Sequence, residues 1–268
     1  MTEKVIELWD AAPPDYKGGE IPKLTYFPSA IKRGRGAVLI FAGGGYSMRC
    51  DYEGSGYARF INSQGLDAFV LDYRVAPDRF PSPLLDARRA MRIIRSNAEF
   101  FGVDPEKIAV MGSSAGGHLA ALISTYRGII AGEGFDDLDK LDATPNAQIL
   151  CYPVTVYENN PTSYKNLLGD NVESKRDIVD PVKIADTKTP PAFIWHTAAD
   201  QAVSVTSSYL YAAKLRELGV PTEMHIYPYG AHGLALCDDA ERGALSPHVA
   251  TWKKLLVAWL ELNGFFNR

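Results

Sequence analysis

The stretch Val110-Met111-Gly112-Ser113-Ser114-Ala115-Gly116-Gly117-His118 constrains this chain more than any other. An apolar, β-branched run stops at glycine, presents serine and continues in helix-favouring residues. Gly112 and Gly116 flank Ser114 in a G-x-S-x-G pattern. On a strand-turn-helix path those flanking positions leave no room for a Cβ. Such a turn lifts the Ser114 hydroxyl out of the sheet above a helix N-terminus, where free backbone N–H groups stabilise a developing negative charge. The pattern also arises by chance, so its neighbours decide. Ile108 to Met111 before it is strand-like, and Ala115 to Tyr126 after it is helix-like.

A serine hydroxyl is a weak nucleophile near neutral pH and needs a base, which in turn needs an orienting group. The apolar run Pro191 to Thr197 ends in Ala198-Ala199-Asp200, placing Asp200 just past a strand. A second run, Glu223 to Tyr227, leads through Pro228-Tyr229-Gly230-Ala231 into His232. The order Ser114, Asp200, His232 is that of the α/β-hydrolase fold and differs from the orders in chymotrypsin-like and subtilisin-like enzymes. Oxyanion donors are expected from the N–H of Ala115 and from the glycines of Ala42-Gly43-Gly44-Gly45-Tyr46, which follow the buried strand Ala37 to Phe41. Gly44 is the first candidate there and Gly45 its neighbour. Tyr46 is a candidate wall of the substrate pocket, with plain packing as the alternative.

Of the other histidines, His196 and His225 lie within strand patterns, His118 reads as buried packing on the helix after Ser114, and His248 reads as surface. Asp170, Asp177, Asp180 and Asp186 are rival acids, but none directly follows a clear strand.

On these residues the chain resembles the α/β-hydrolase family, and within it the small carboxylesterases related to hormone-sensitive lipase and to bacterial acetyl esterases acting on acetylated sugars or xylan. The resemblance spans most of the chain. It rests on Gly43 to Tyr46, Asp72-Tyr73-Arg74-Val75-Ala76-Pro77 with Phe80-Pro81, Gly112 to His118, Trp195 to Asp200, and Gly230 to Gly233. The lipase-like pattern has His before its glycines. Ala42 stands there, which is closer to the acetyl-esterase branch. The resemblance implies a serine esterase without cofactor or metal, acting on a short acyl group of a small ester, with an acetylated carbohydrate as the expected substrate. An arylformamidase or peptidase-type amide hydrolase uses the same triad, and a hydrolase-fold ligand receptor is a further alternative; an intact triad speaks against the receptor.

At 268 residues, with 46% hydrophobic and 22% charged, the chain suits one α/β domain spanning 1–268, its mostly parallel sheet covered by helices on both faces. Strand-like runs fall at Ala37 to Phe41, Ala68 to Asp72, Ile108 to Met111, Ile149 to Tyr152, Phe193 to His196 and Glu223 to Tyr227. A helix is predicted from Pro83 to Phe101 with Ser82 as N-cap, ending at Gly102. Arg88, Arg89, Arg92 and Arg95 are expected on its solvated face, and the acidic run Asp136 to Asp142 in a solvated loop. Asp72 and Arg74 are expected to form a structural network, and Trp195 to enter the core. Residues 155–190 are expected to fold as a small cap with short helices. A net charge of -4 without a basic cluster argues against nucleic acid. No run has the length of a membrane span and no apolar leader is seen, so a cytoplasmic protein is expected; Cys50, Cys151 and Cys237 suit reduced thiols. The sequence leaves the oligomeric state open.

Overall fold

The computed structural model describes residues 3–130, 132–134 and 136–267. In chain order the main elements are β1 (Lys4–Glu7), β2 (Lys23–Phe27), β3 (Ala37–Phe41), α1 (Asp51–Ser63), β4 (Asp67–Asp72), α2 (Ser82–Ser96), α3 (Ala98–Phe101), β5 (Ile108–Ser113) and α4 (Ser114–Thr125). They continue with β6 (Ala147–Cys151), α5 (Pro161–Leu168), α6 (Val172–Lys175), α7 (Pro181–Ile184), β7 (Ala192–Thr197), α8 (Thr206–Glu217), β8 (Thr222–Tyr227) and α9 (Trp252–Leu262).

The described strands form an eight-stranded sheet in the order β1-β2-β4-β3-β5-β6-β7-β8, parallel from β4 to β8 and antiparallel at β1 and β2. Side chains alternate across each strand and so feed two cores. Ala37, Leu39 and Phe41 of β3 join the core under α2, α4 and α8, whereas Val38 and Ile40 join the one under α1 and α9. Central strands are buried on both faces and read as unbroken apolar runs, which is why their residues stand out in the sequence. β1 and β2 were not among the predicted strands. KVIE and KLTYF carry lysine and glutamate at a partly exposed edge, so they lack that apolar signature.

The predicted helix from Pro83 is found, with two corrections. Ser82 is its first residue and makes no capping bond, and the helix breaks at Asn97 before the short α3, which stops at left-handed Gly102. A larger correction concerns its arginines. Arg88, Arg89 and Arg92 are buried against the segment that follows α4, and two of the acids expected to be solvated there, Asp136 and Asp139, are counterions, whereas Asp137 and Asp142 are exposed as expected. Arg89 grips Asp136 with two bonds of 2.6 Å, Arg92 reaches Asp139 at 2.8 Å, and Arg88 and Arg92 share Glu133. Arg95 donates to the Asp142 and Thr144 carbonyls. A helical pattern shows which residues share a face, but not which distant loop covers it.

Asp72 and Arg74, expected in one structural network, each make structural contacts but with different partners. Arg74 forks onto Asp86 of α2 through Nη2–Oδ1 at 2.7 Å and Nε–Oδ2 at 2.9 Å, both side chains fully buried, while Asp72 faces Arg49 at 3.7 Å. Asp86 also accepts the Arg74 N–H at 2.9 Å. Trp195 lies in the core, stacked on Trp252. The three cysteines carry free thiols, and among the described residues no helix is long and apolar enough to cross a membrane.

Removing one member of a buried ion pair leaves the other charge unpaired, at a cost of about 3–5 kcal/mol. Asp86→Ala is therefore expected to lower the unfolding free energy by that amount in urea titrations. A double Arg74→Met, Asp86→Leu replacement should recover most of the loss.

Candidate active site

The site stands at the carboxyl ends of the parallel strands, where helix N-termini and loops converge. β5 turns into α4 without an intervening residue, and Ser114 takes a φ of 53° at the junction. This left-handed conformation is costly for a residue with a Cβ and persists only where the surroundings enforce it. Here they do. A Cβ at Gly112 would strike the Gly116 carbonyl oxygen, and one at Gly116 would strike the Phe41 carbonyl oxygen. The strand, turn and helix are therefore packed backbone on backbone.

Two loops bring the other residues to Ser114. After β7 the chain turns so that Asp200 is 6% exposed, and its Oδ1 accepts the Ala202 and Val203 N–H groups, each at 2.9 Å. After β8 the Gly230 carbonyl accepts from Thr197 Oγ1 at 2.9 Å, docking this loop on the end of β7. His232 then lies with Nδ1 2.7 Å from Asp200 Oδ2 and Nε2 2.9 Å from Ser114 Oγ. With Nδ1–H donating to the carboxylate, Nε2 is left to accept the serine proton. Burial would raise the Asp200 pKa, but hydrogen bonds from His196, His232 and the Val203 N–H outweigh it and hold the carboxyl well below its usual range.

The three sequence-predicted residues thus meet. Three of the rival acids are engaged elsewhere, Asp177 with Lys183, Asp180 as the cap of α7 and Asp186 with Arg127, and the fourth, Asp170, is exposed. His225 pairs with Glu223, and His248 is exposed. His196, read only as a strand residue, does more. Its Nε2 faces the Val203 carbonyl at 3.0 Å and Asp200 Oδ2 at 3.3 Å, so it helps fix the acid.

The glycine loop sits directly over the serine: a Cβ on Gly43 would lie 3.2 Å from Ser114 Cβ and 2.8 Å from the Ser113 carbonyl oxygen. Gly44 has φ 137° and Gly45 φ 64°, and the Gly44 carbonyl is turned back to accept Ser47 and Met48 N–H groups at 3.1 and 3.2 Å. Among the described residues, none accepts the N–H of Gly44 or Gly45. Ala115 N–H belongs to the first turn of α4, where no intrahelical partner exists. These are the three donors that the sequence singled out.

Tyr46 requires a correction. Its side chain is 1% exposed and does not line an open pocket: the hydroxyl donates to His118 Nδ1 at 2.7 Å, and His118 Nε2–H donates to the Val179 carbonyl at 2.8 Å. The tyrosine is thus packing beneath the loop. Two further residues escaped sequence reasoning. Glu53, in the first turn of α1, accepts the Gly43 N–H through Oε2 at 2.8 Å, and Tyr152 donates to its Oε1 at 2.6 Å. Burial pushes the Glu53 pKa up, and these two bonds oppose the rise. A glutamate three residues into a helix that follows a glycine loop was the available signal, since carboxylates at that position reach back to free N–H groups.

A parallel sheet carrying a serine at a strand-helix turn, with acid and histidine on later strand ends, defines an α/β-hydrolase. The chain belongs to the BD-FAE family, whose model matches residues 25–215 and so includes Ser114 and Asp200. It is similar to endo-1,4-beta-xylanase B of Butyrivibrio fibrisolvens, with 33% identity over 241 residues covering 87% of this chain and 38% of that protein. An acetylxylan esterase of Xylanibacter ruminicola is 32% identical over 212 residues, covering 74% of this chain and 40% of the relative. The chain therefore spans about two fifths of the length of these curated relatives. The crystal structure of an acetyl ester-xyloside bifunctional hydrolase from Caldicellulosiruptor lactoaceticus superposes with a TM-score of 0.90 at 36% identity, covering 98% of this chain and 97% of that one.

Burial pushes the His118 pKa down to about 4, against the bond to the Val179 carbonyl. Its folded pKa thus lies below the unfolded value of about 6.5, so the unfolded chain binds the proton first and stability falls as the pH drops from 6.5 toward 4. The expected slope approaches about 1.4 kcal/mol per pH unit in that window. Urea unfolding at a series of pH values should show it, and His118→Gln should flatten it from a lower starting stability.

Proposed function

We propose that this chain is a carboxylic ester hydrolase that removes acetyl groups from sugars or xylo-oligosaccharides by a Ser114–His232–Asp200 acyl-enzyme mechanism. The observation that carries the reading is the single imidazole bridging Ser114 Oγ and Asp200 Oδ2. In the first half-reaction Ser114 Oγ attacks the ester carbonyl carbon as its proton passes to His232 Nε2. The carbonyl oxygen, now anionic, is held by the N–H groups of Ala115, Gly44 and Gly45. The intermediate collapses, the bond to the alcohol oxygen breaks, and His232 returns the proton to that oxygen. Water then attacks the acyl-serine with His232 again taking a proton, releasing acetate and restoring Ser114. Asp200 keeps the imidazole in the required tautomer and stabilises its cation.

Residues 155–190 serve in this reading as a small cap. Asn166 of α5 donates to the Gly45 carbonyl at 2.8 Å, which fastens the cap helices to the oxyanion loop. Short acyl preference is supported by this tight cover and by the acetylxylan esterase among the relatives.

Ser114→Ala should lower kcat for an activated acetate ester by several orders of magnitude without loss of fold, and Asp200→Asn by roughly 10⁴, in line with triad aspartates elsewhere. A Ser114→Ala variant retaining more than a few per cent of activity would remove the serine from the mechanism.

Acyl length gives a separate test. Each methylene accepted by a pocket adds about 0.8 kcal/mol, so an open tunnel would raise kcat/KM along the acetate, butyrate, octanoate, laurate series. A maximum at acetate or butyrate is expected, together with release of acetate from acetylated xylo-oligosaccharides; a maximum at octanoate or beyond would sink the acetyl specificity and leave the triad untouched.

A further inference from the structure

We infer that Glu53 is a positioning residue whose buried carboxylate ties the oxyanion loop to the loop that carries His232, through Tyr152. The inference rests on the esterase reading above. Glu53 is 2% exposed, and no cation lies within ion-pair distance of it among the described residues. Its two oxygens have different partners: Oε2 accepts the Gly43 N–H at 2.8 Å, and Oε1 accepts from Tyr152 at 2.6 Å.

Each end of this strut holds something that catalysis needs. At the first end, the Gly43 carbonyl also accepts the Cys50 N–H at 2.9 Å, so residue 43 is fixed through both its N–H and its C=O. The following peptides at Gly44 and Gly45 are then held with their N–H groups available beside Ser114. At the other end, Tyr152 Oη accepts the Ala235 N–H at 3.1 Å, three residues beyond His232. Its ring stands edge-on to the imidazole with centroids 5.0 Å apart. Tyr152 and Ala235 both have positive φ, 36° and 48°, so the residues that hold the histidine loop are themselves strained. Strain of this kind persists only when other bonds over-determine it. Burying a carboxylate without a cation is costly unless its hydrogen bonds are strong, and a carboxylate accepting from N–H and O–H supplies such bonds. A helix-capping role does not account for it: Cys50, the residue before α1, makes no side-chain cap bond, and the Glu53 carboxylate reaches past it to the Gly43 N–H.

The experiment compares wild type, Ser114→Ala, Glu53→Ala, Glu53→Gln and Tyr152→Phe for kcat and KM on 4-nitrophenyl acetate, with thermal unfolding of each. Glu53→Ala should lower kcat roughly 10- to 100-fold with KM within about threefold, a fraction of the loss seen when an oxyanion donor is deleted outright. Glu53→Gln should recover most of kcat, because its amide oxygen can still accept the Gly43 N–H while its NH₂ faces Tyr152 Oη. Should Glu53→Ala not fold, Tyr152→Phe decides, with an expected kcat loss of about tenfold at unchanged KM. The inference is overturned if Glu53→Ala or Tyr152→Phe keeps wild-type kcat, if the loss merely follows the unfolded fraction, or if Glu53→Gln is as impaired as Glu53→Ala. Those outcomes leave the esterase reading intact so long as wild type is active and Ser114→Ala is not. An inactive wild type overturns both.

Discussion

The backbone contact between the β5–α4 turn and the end of β3 is the constraint on which the rest of this structure depends. Gly116 lies against the Phe41 and Ala42 carbonyls, and Gly112 against Gly116 itself, at separations that no side chain could share. This contact places the serine turn and the glycine loop side by side, so Ser114 and the Gly44 and Gly45 peptides become neighbours although some 70 residues of chain separate them.

Around that junction, buried carboxylates divide the labour according to their partners. Asp200 accepts two backbone N–H groups and faces two imidazoles, and it stays ionised. Asp86 sits wholly inside the protein against one guanidinium and holds α2 to the end of β4. Glu53 has neither a cation nor a histidine in direct contact, only an amide and a phenol. The same functional group thus faces imidazoles, a guanidinium, or an amide with a phenol, and only these neighbours distinguish the three.

Those neighbours explain what could be read from the sequence. Ser114, Asp200 and His232 were legible because each follows an apolar strand and the strand-to-loop junction is a local pattern. The central strands were legible because burial on both faces leaves an apolar run. The two antiparallel strands β1 and β2 were not, since they are partly exposed and their pattern resembles loop. Tyr46 was placed near the right loop yet given the wrong surroundings, because whether a tyrosine faces a substrate or His118 depends on a helix 72 residues away. Tyr152 acts through Glu53, 99 residues earlier, and no local spacing announces such a contact. His196 and Glu53 act through residues nearby in the chain, but a strand pattern or a helix start does not say which loop their polar atoms meet.

The arginine face of α2 has a consequence for how this sequence can drift. The segment after α4 is fastened by an Arg89 fork on Asp136, by Arg88 and Arg92 on Glu133 and Asp139, and by arginine bonds to the Gly128 and Leu141 carbonyls. Lysine cannot reproduce a planar two-pronged grip, and a lost acid leaves a buried cation behind. The segment's charged positions can change only in concert with the helix beneath them, so helix and loop form one inherited unit despite the roughly 45 residues between them.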